Sequence, residues 1–163
     1  MPVGVVVADV DHFKRVNDRH GHAVGDAVLR LVGDAMRTAV RADDLVVRLG
    51  GEELAVVAAV SADDLVELAE RIRTQVELVA EPWSVTVSLG VTWEAPPSAD
   101  GTDGGHGGHG GHGGHGGHGG HGGDGGDGGA DAALALVWAL LDRADDLMYA
   151  AKRAGRNRVV LAS

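Results

Sequence analysis

The stretch DLVVRLGGEELAVVAAV, residues 44–60, constrains the fold more than any other part of the chain. Its two apolar runs, 45–49 and 54–60, flank the pair Gly50-Gly51, and β-branched runs on either side of such a turn predict a β-hairpin. The remaining segments supply partners for it. Val3–Val10 is a short β-branched run ending in acidic residues, the pattern of a buried strand that opens onto polar chemistry at its C-terminal end. In residues 23–40, apolar side chains at Ala27, Val28, Leu31, Val32, Ala35 and Met36 recur three and four apart, predicting an amphipathic helix entered at Gly25-Asp26. After the hairpin, Ser61 can cap a second helix with Asp64 three places on, and Leu65, Leu68, Ile72 and Val76 form its apolar stripe. WSVTVSLGVTW, residues 83–93, alternates as a strand, residues 132–154 read as a helix ended by Gly155, and 159–161 as a last strand. This order predicts an α/β sandwich, a ferredoxin-like βαββαβ core extended by a C-terminal helix and strand, with helices packed on a mainly antiparallel sheet.

Residues 100–131 do not share that pattern. Of the 27 glycines in the chain, 19 fall here, interleaved with His106, His109, His112, His115, His118 and His121. The 163 residues therefore read as one domain, 1–163, carrying a Gly/His-rich low-complexity insert. A Gly-Gly-His repeat has neither the proline of collagen nor the apolar content of a core, so its expected state is a flexible loop. If it extended with three residues per turn, neighbouring histidines would stand roughly 9 Å apart. That is too far to share an ion at Zn–N distances of about 2.1 Å. Zinc, nickel or copper would bind weakly and at several sites, with the chain folded back at an entropic cost.

The formal charge is −10, of which Asp100, Asp103, Asp124, Asp127 and Asp131 in or beside the insert contribute half. A mildly acidic body lacks the basic face that nucleic-acid polymers require, and any phosphate ligand would need a metal ion. There is no cysteine, which excludes disulfides and thiolate zinc sites. The opening PVGVVVADV is too short and too soon charged for a signal peptide or a membrane span, so a cytoplasmic location is expected.

Two acidic pairs stand at strand ends, Asp9 with Asp11 and Glu52 with Glu53. If the first strand lies beside the hairpin, four carboxylates converge. Crowded carboxylates repel, and hard divalent cations with oxygen ligands, magnesium first or manganese, would hold them. The alternative is that each pair is solvated turn charge. Gly50-Gly51 would permit the tight turn and leave room for a ligand beside the backbone.

Four segments in order carry a resemblance. DVDHFKRVNDRHGHAVGDAVL from Asp9, RADDLVVRLGGEEL from Arg41, VSLGV from Val87 and ADDLMYAAKRAGRNRV from Ala144 resemble the successive signatures of the GGDEF family, the bacterial diguanylate cyclases. The resemblance covers nearly all of the chain except the insert. It implies condensation of two GTP molecules, one held by each half of a homodimer, into cyclic di-GMP with release of two pyrophosphates. It also implies two magnesium ions per active site, with Asp9, the main-chain carbonyl of Val10 and Glu52 as ligands. Glu53 resembles the second signature carboxylate, associated with the metal or with the attacking hydroxyl. Asn17 and Asp26 match the guanine contacts, although taken alone such residues are caps and turn formers. Phe13 and Lys14 match positions whose main-chain amides face the phosphates. Lys152 and Arg156 match a triphosphate-binding basic pair, which also suits a helix C-terminus. Arg41 and Asp44 match an RxxD motif at which the product inhibits, assisted by Arg71; taken alone they could be a surface ion pair worth under about 1 kcal/mol.

Leu54 stands where the family usually has phenylalanine, an exchange expected to cost packing rather than chemistry. The chain also begins at the first strand, where the family has a preceding helix and hairpin, and an upstream sensory domain is expected to be missing. These departures leave open a second reading, a module that binds GTP or cyclic di-GMP as a receptor without turnover. A histidine-rich metal buffer is a third.

Overall fold

The computed structural model of the protein describes residues 2–94 and 128–162. The six histidines from His106 to His121 lie outside the described residues.

Strand β1 (Val3–Val10) is buried from Gly4 onward and pairs antiparallel on both sides, with β3 (Glu53–Ala59) and with β4 (Val87–Glu94). Because helices cover both its faces, its sequence reads as an unbroken apolar run rather than as an alternation. Strand β2 (Leu45–Gly50) forms the hairpin with β3, and β5 (Arg158–Leu161) adds a parallel edge to β4. The sheet order is β2-β3-β1-β4-β5, so the first four strands have the ferredoxin-like arrangement and the extension falls at the edge, as the sequence predicts.

Helices α1 (Phe13–His20), α2 (His22–Ala39) and α3 (Ala62–Val79) belong to the core on one face of the sheet, where Val6, Ala8 and Val10 meet Phe13, Val28, Val32, Met36, Leu65 and Ile72. Helix α4 (Gly128–Arg153) covers the other face, setting Leu140, Ala144 and Met148 against Val5, Val7 and Ala55. Its approach is close at Gly90 of β4, where any Cβ would strike the backbone of Ala144 and Met148. Ser61 caps α3 as expected, its hydroxyl accepting from the Asp64 N–H at 3.2 Å.

Three boundaries differ from the sequence reading. Helix α1 is additional; it buries only Phe13 and Val16, too few apolar positions for a periodic signal. Strand β4 starts at Val87 rather than residue 83, because Glu81–Trp83 forms a 3-10 turn closed by Ser84 at φ +53°. Helix α4 starts at Gly128, within the segment assigned to the insert. No helix among the described residues is long and apolar enough to cross a membrane.

Candidate active site

The hairpin turn brings the signature acids to the end of β1. Gly50 pairs with Glu53, leaving Gly51-Glu52 as the turn, and Gly51 holds φ +50°, a conformation natural to glycine. Arg48 braces the turn by donating from Nε to the Gly51 carbonyl at 2.8 Å. The Val10 N–H donates to the Glu52 carbonyl at 3.1 Å, and Asp9 stands directly opposite Glu53 across the β1–β3 ladder. Like charges in such cross-strand positions repel.

Asp9 is buried, and Lys152 of α4 supplies its ion pair, Nζ to Oδ2 at 2.8 Å. Burial nevertheless pushes the Asp9 carboxyl up from an ordinary 3.8 to about 6; the Lys152 hydrogen bond and charge oppose that rise, while Glu52 and Glu53 reinforce it. Of the four carboxylates expected to converge, Glu52 and Glu53 act on Asp9 through their charge, and Asp11, although it lines the same cavity, spends its oxygens elsewhere. They accept from Thr86 Oγ1 and Ser88 Oγ, each at 2.7 Å, and from the Asn157 N–H at 3.1 Å. A strand alternates its faces, so the second acid of a D-x-D pair reached this position by leaving the strand, and sequence spacing could not foretell its partners.

An open cavity of about 230 Å³ is lined by Asp9, Val10, Phe13, Lys14, Glu52, Lys152 and Arg156, among others. Helix α1 enters this cavity with its first turn. No side chain caps it, since His12 at its N-cap position adopts φ +59° without a side-chain hydrogen bond. First-turn amides have no intrahelical acceptor, so those of Phe13 and Lys14 are available to an anion. The Lys14 side chain is engaged elsewhere, on Asp18 at 2.6 Å.

The donor set suits a hard divalent cation. Asp9 and Glu52 offer carboxylate oxygens and Val10 a carbonyl beside the same cavity. Among the described residues no three His, Asp or Glu side chains could hold a metal by themselves, so a main-chain oxygen is needed to complete the set.

Asp26 opens onto a separate cavity of about 490 Å³ between α2 and the hairpin, shared with Leu29, Arg30 and Leu54. Asn17 lies next to it, its amide against Gly25 of α2. Arg41, Asp44 and Arg71 meet in a third, smaller cavity of about 120 Å³. The Arg41–Asp44 ion pair considered from sequence is not formed; the Asp44 carboxylate instead accepts the Arg41 main-chain N–H at 2.8 Å. Arg71 is anchored by two bonds to the Ala39 carbonyl, at 3.0 and 2.7 Å.

The family model described as "Diguanylate cyclase, GGDEF domain" matches residues 1–101, more than half of the chain. This chain belongs to the GGDEF family. The GGDEF chain is 32% identical over 164 residues to the diguanylate cyclase DgcP of Pseudomonas aeruginosa, an overlap covering 97% of this chain and 19% of that protein. It is similar in structure to the diguanylate cyclase SiaD of Pseudomonas aeruginosa, solved with its activator SiaC, at TM-score 0.71 and 28% identity over 99% of this chain and 50% of that one. The GGDEF domain of DgcB from Caulobacter crescentus, solved in complex with c-di-GMP, gives TM-score 0.66 and 25% identity over 98% and 77% of the two chains. This GGDEF chain spans 22%, 19% and 29% of the length of the first curated relatives it matches.

Proposed function

We propose that this domain condenses two molecules of GTP into cyclic di-GMP and two pyrophosphates, in the cytoplasm where GTP is available. The observation that carries the reading is the single cavity in which Asp9, Val10 and Glu52 face the open amides of Phe13 and Lys14 and the cations of Lys152 and Arg156. Oxygen donors on one side and phosphate-binding groups on the other are what phosphoryl transfer asks of a protein.

In this reading the triphosphate lies along the amides of Phe13 and Lys14, with Lys152 and Arg156 offsetting its charge. Asn17 and Asp26 select guanine, the carboxylate accepting from N1–H and the exocyclic amine. Glu53 orients the ribose 3′-hydroxyl and takes its proton as it attacks the α-phosphorus of the other GTP. Pyrophosphate leaves, and the reciprocal attack closes the ring. Magnesium or manganese, two ions held by Asp9, the Val10 carbonyl, Glu52 and Glu53, would polarise the α-phosphate and acidify that hydroxyl. Both GTP molecules must be presented face to face, which calls for a homodimer with one nucleotide on each copy.

Arg41, Asp44 and Arg71 form the inhibitory product site in this proposal. Its support is the cavity they share and the unpaired Arg41 guanidinium among the described residues; DgcB provides a relative solved with the dinucleotide. Incubation with GTP and magnesium, followed by chromatography, should yield cyclic di-GMP. Tight binding of the dinucleotide without any product would sink the enzyme reading and leave the receptor.

A further inference from the structure

Asp11 and Asn157 are 146 residues apart, and the hydrogen bond between them at 3.1 Å joins the end of β1 to the turn between α4 and β5. Asp11 is buried to 1% exposure. Although it lines the cavity beside Asp9, its carboxylate accepts from two hydroxyls of the segment leading into and starting β4 and from the Asn157 N–H, and its own N–H donates to the Thr86 carbonyl at 2.8 Å.

The turn it meets is unusual. Gly155, Arg156 and Asn157 have φ of +120°, +65° and +45°, and two of the three are not glycine. Asparagine tolerates such angles, but an arginine keeps them only where its surroundings hold it there. Here the surroundings act from two directions. Asp11 holds the Asn157 N–H, while the Asn157 side chain is gripped by α3: Nδ2 donates to Glu77 Oε1 at 2.9 Å and Oδ1 accepts from Arg73 Nη1 at 3.0 Å. Arg73 is itself fixed by Glu70 and Glu77, at 2.8 and 2.9 Å. Between these anchors sits Arg156, its N–H on the Ala151 carbonyl at 3.0 Å, and both it and Lys152 line the cavity that holds Asp9.

We propose that Asp11 and Asn157 are positioning residues, a latch that keeps the α4–β5 turn left-handed so that Arg156 faces the phosphate cavity in register with the β1 acids. This inference rests on the nucleotide reading above. Without the latch, the strain at position 156 has nothing to hold it, the turn relaxes, and Arg156 no longer reaches the triphosphate.

The test is a double-mutant cycle read by calorimetry with magnesium and a GTP analogue carrying a methylene between the α and β phosphorus atoms, which blocks turnover. Arg156→Ala alone should weaken binding about tenfold, and Asn157→Ala alone by a similar factor. In the Asn157→Ala background, Arg156→Ala should add less than about twofold, because the guanidinium is already misplaced. Asn157→Gly should stay within about threefold of wild type, since glycine accepts the positive φ and keeps the N–H for Asp11. Asp11→Asn should behave as Asn157→Ala does. Losses that simply multiply, or wild-type affinity in both Asn157→Ala and Asp11→Asn, would overturn the latch. If the wild-type protein itself fails to bind the analogue while retaining its melting temperature, the nucleotide reading falls first, and the latch with it.

Discussion

Asp9 is a buried carboxylate with one cationic neighbour and two anionic ones, and burial, more than those charges, sets its affinity for a proton. The folded protein holds the Asp9 proton more tightly than an unfolded chain would. This group therefore favours folding below about pH 4, and the contribution is lost as the pH rises through about 6. A divalent cation binds the ionised form, so its effect runs the other way: thermal stabilisation by magnesium should be large at about pH 7.5 and shrink as the pH falls through 6. An equal magnesium shift at about pH 5 would contradict the assignment of Asp9 as a ligand. Glu53→Gln removes the proposed base while keeping size and strand pairing, so product formation should vanish with the melting temperature unchanged or raised, since one member of a repelling pair is gone. Turnover at the wild-type rate in that variant would argue against a role for Glu53. The acids themselves were legible in the sequence from their places at strand ends. The partners of Asp9 and Asp11 were not, because Lys152 and Asn157 are brought to them only by the packing of α4 and the turn after it.

Among the elements, α4 is the one whose placement depends on a single small residue. Its backbone comes so near β4 that a methyl group at Gly90 has no flexible neighbour to displace, meeting the Ala144 carbonyl, the Met148 amide and the Leu147 Cβ. Gly90→Ala should therefore cost about 3 kcal/mol, the upper end of overpacking losses, seen as a lowered urea midpoint. It should also disturb Lys152, which the same helix carries. Ser61→Ala, which removes only a cap, should cost about 1 kcal/mol and leave the cavity unaffected. The larger elements were readable because their apolar periodicity is long: β1, the hairpin, α2 and α3 all match. Helix α1 was not, since an eight-residue helix with two buried side chains looks like a polar loop. That short helix supplies the open first-turn amides of the proposed phosphate site.

At the scale of the molecule, the proposed inhibitory site and the acidic turn of the proposed active site lie at opposite ends of β2. Asp44 precedes the strand and Gly50 ends it, so at about 3.4 Å per residue they are roughly 20 Å apart. The Arg41 side chain lines none of the cavity that holds Asp9. Arg41→Ala should then leave the initial rate within about twofold while abolishing the slowing of progress curves by accumulated product, a loss of a binding contact of the charge-assisted kind. Persistent inhibition in that variant would remove the RxxD site from the scheme. Among the described residues, the acids, amides and cations assigned to the reaction already meet in one cavity. Exchanging the six histidines from His106 to His121 for serine should accordingly leave turnover unchanged, and a lost activity would show that the repeat takes part. Strand β1 has partners on both sides, and this has a consequence for control. Amides in the middle of a sheet become accessible to solvent exchange only when the whole sheet opens. A reaction centre moored to that strand cannot be switched by softening it, because the protein would unfold first. In the proposed scheme the adjustable quantity is instead how often, and in what orientation, two loaded copies collide.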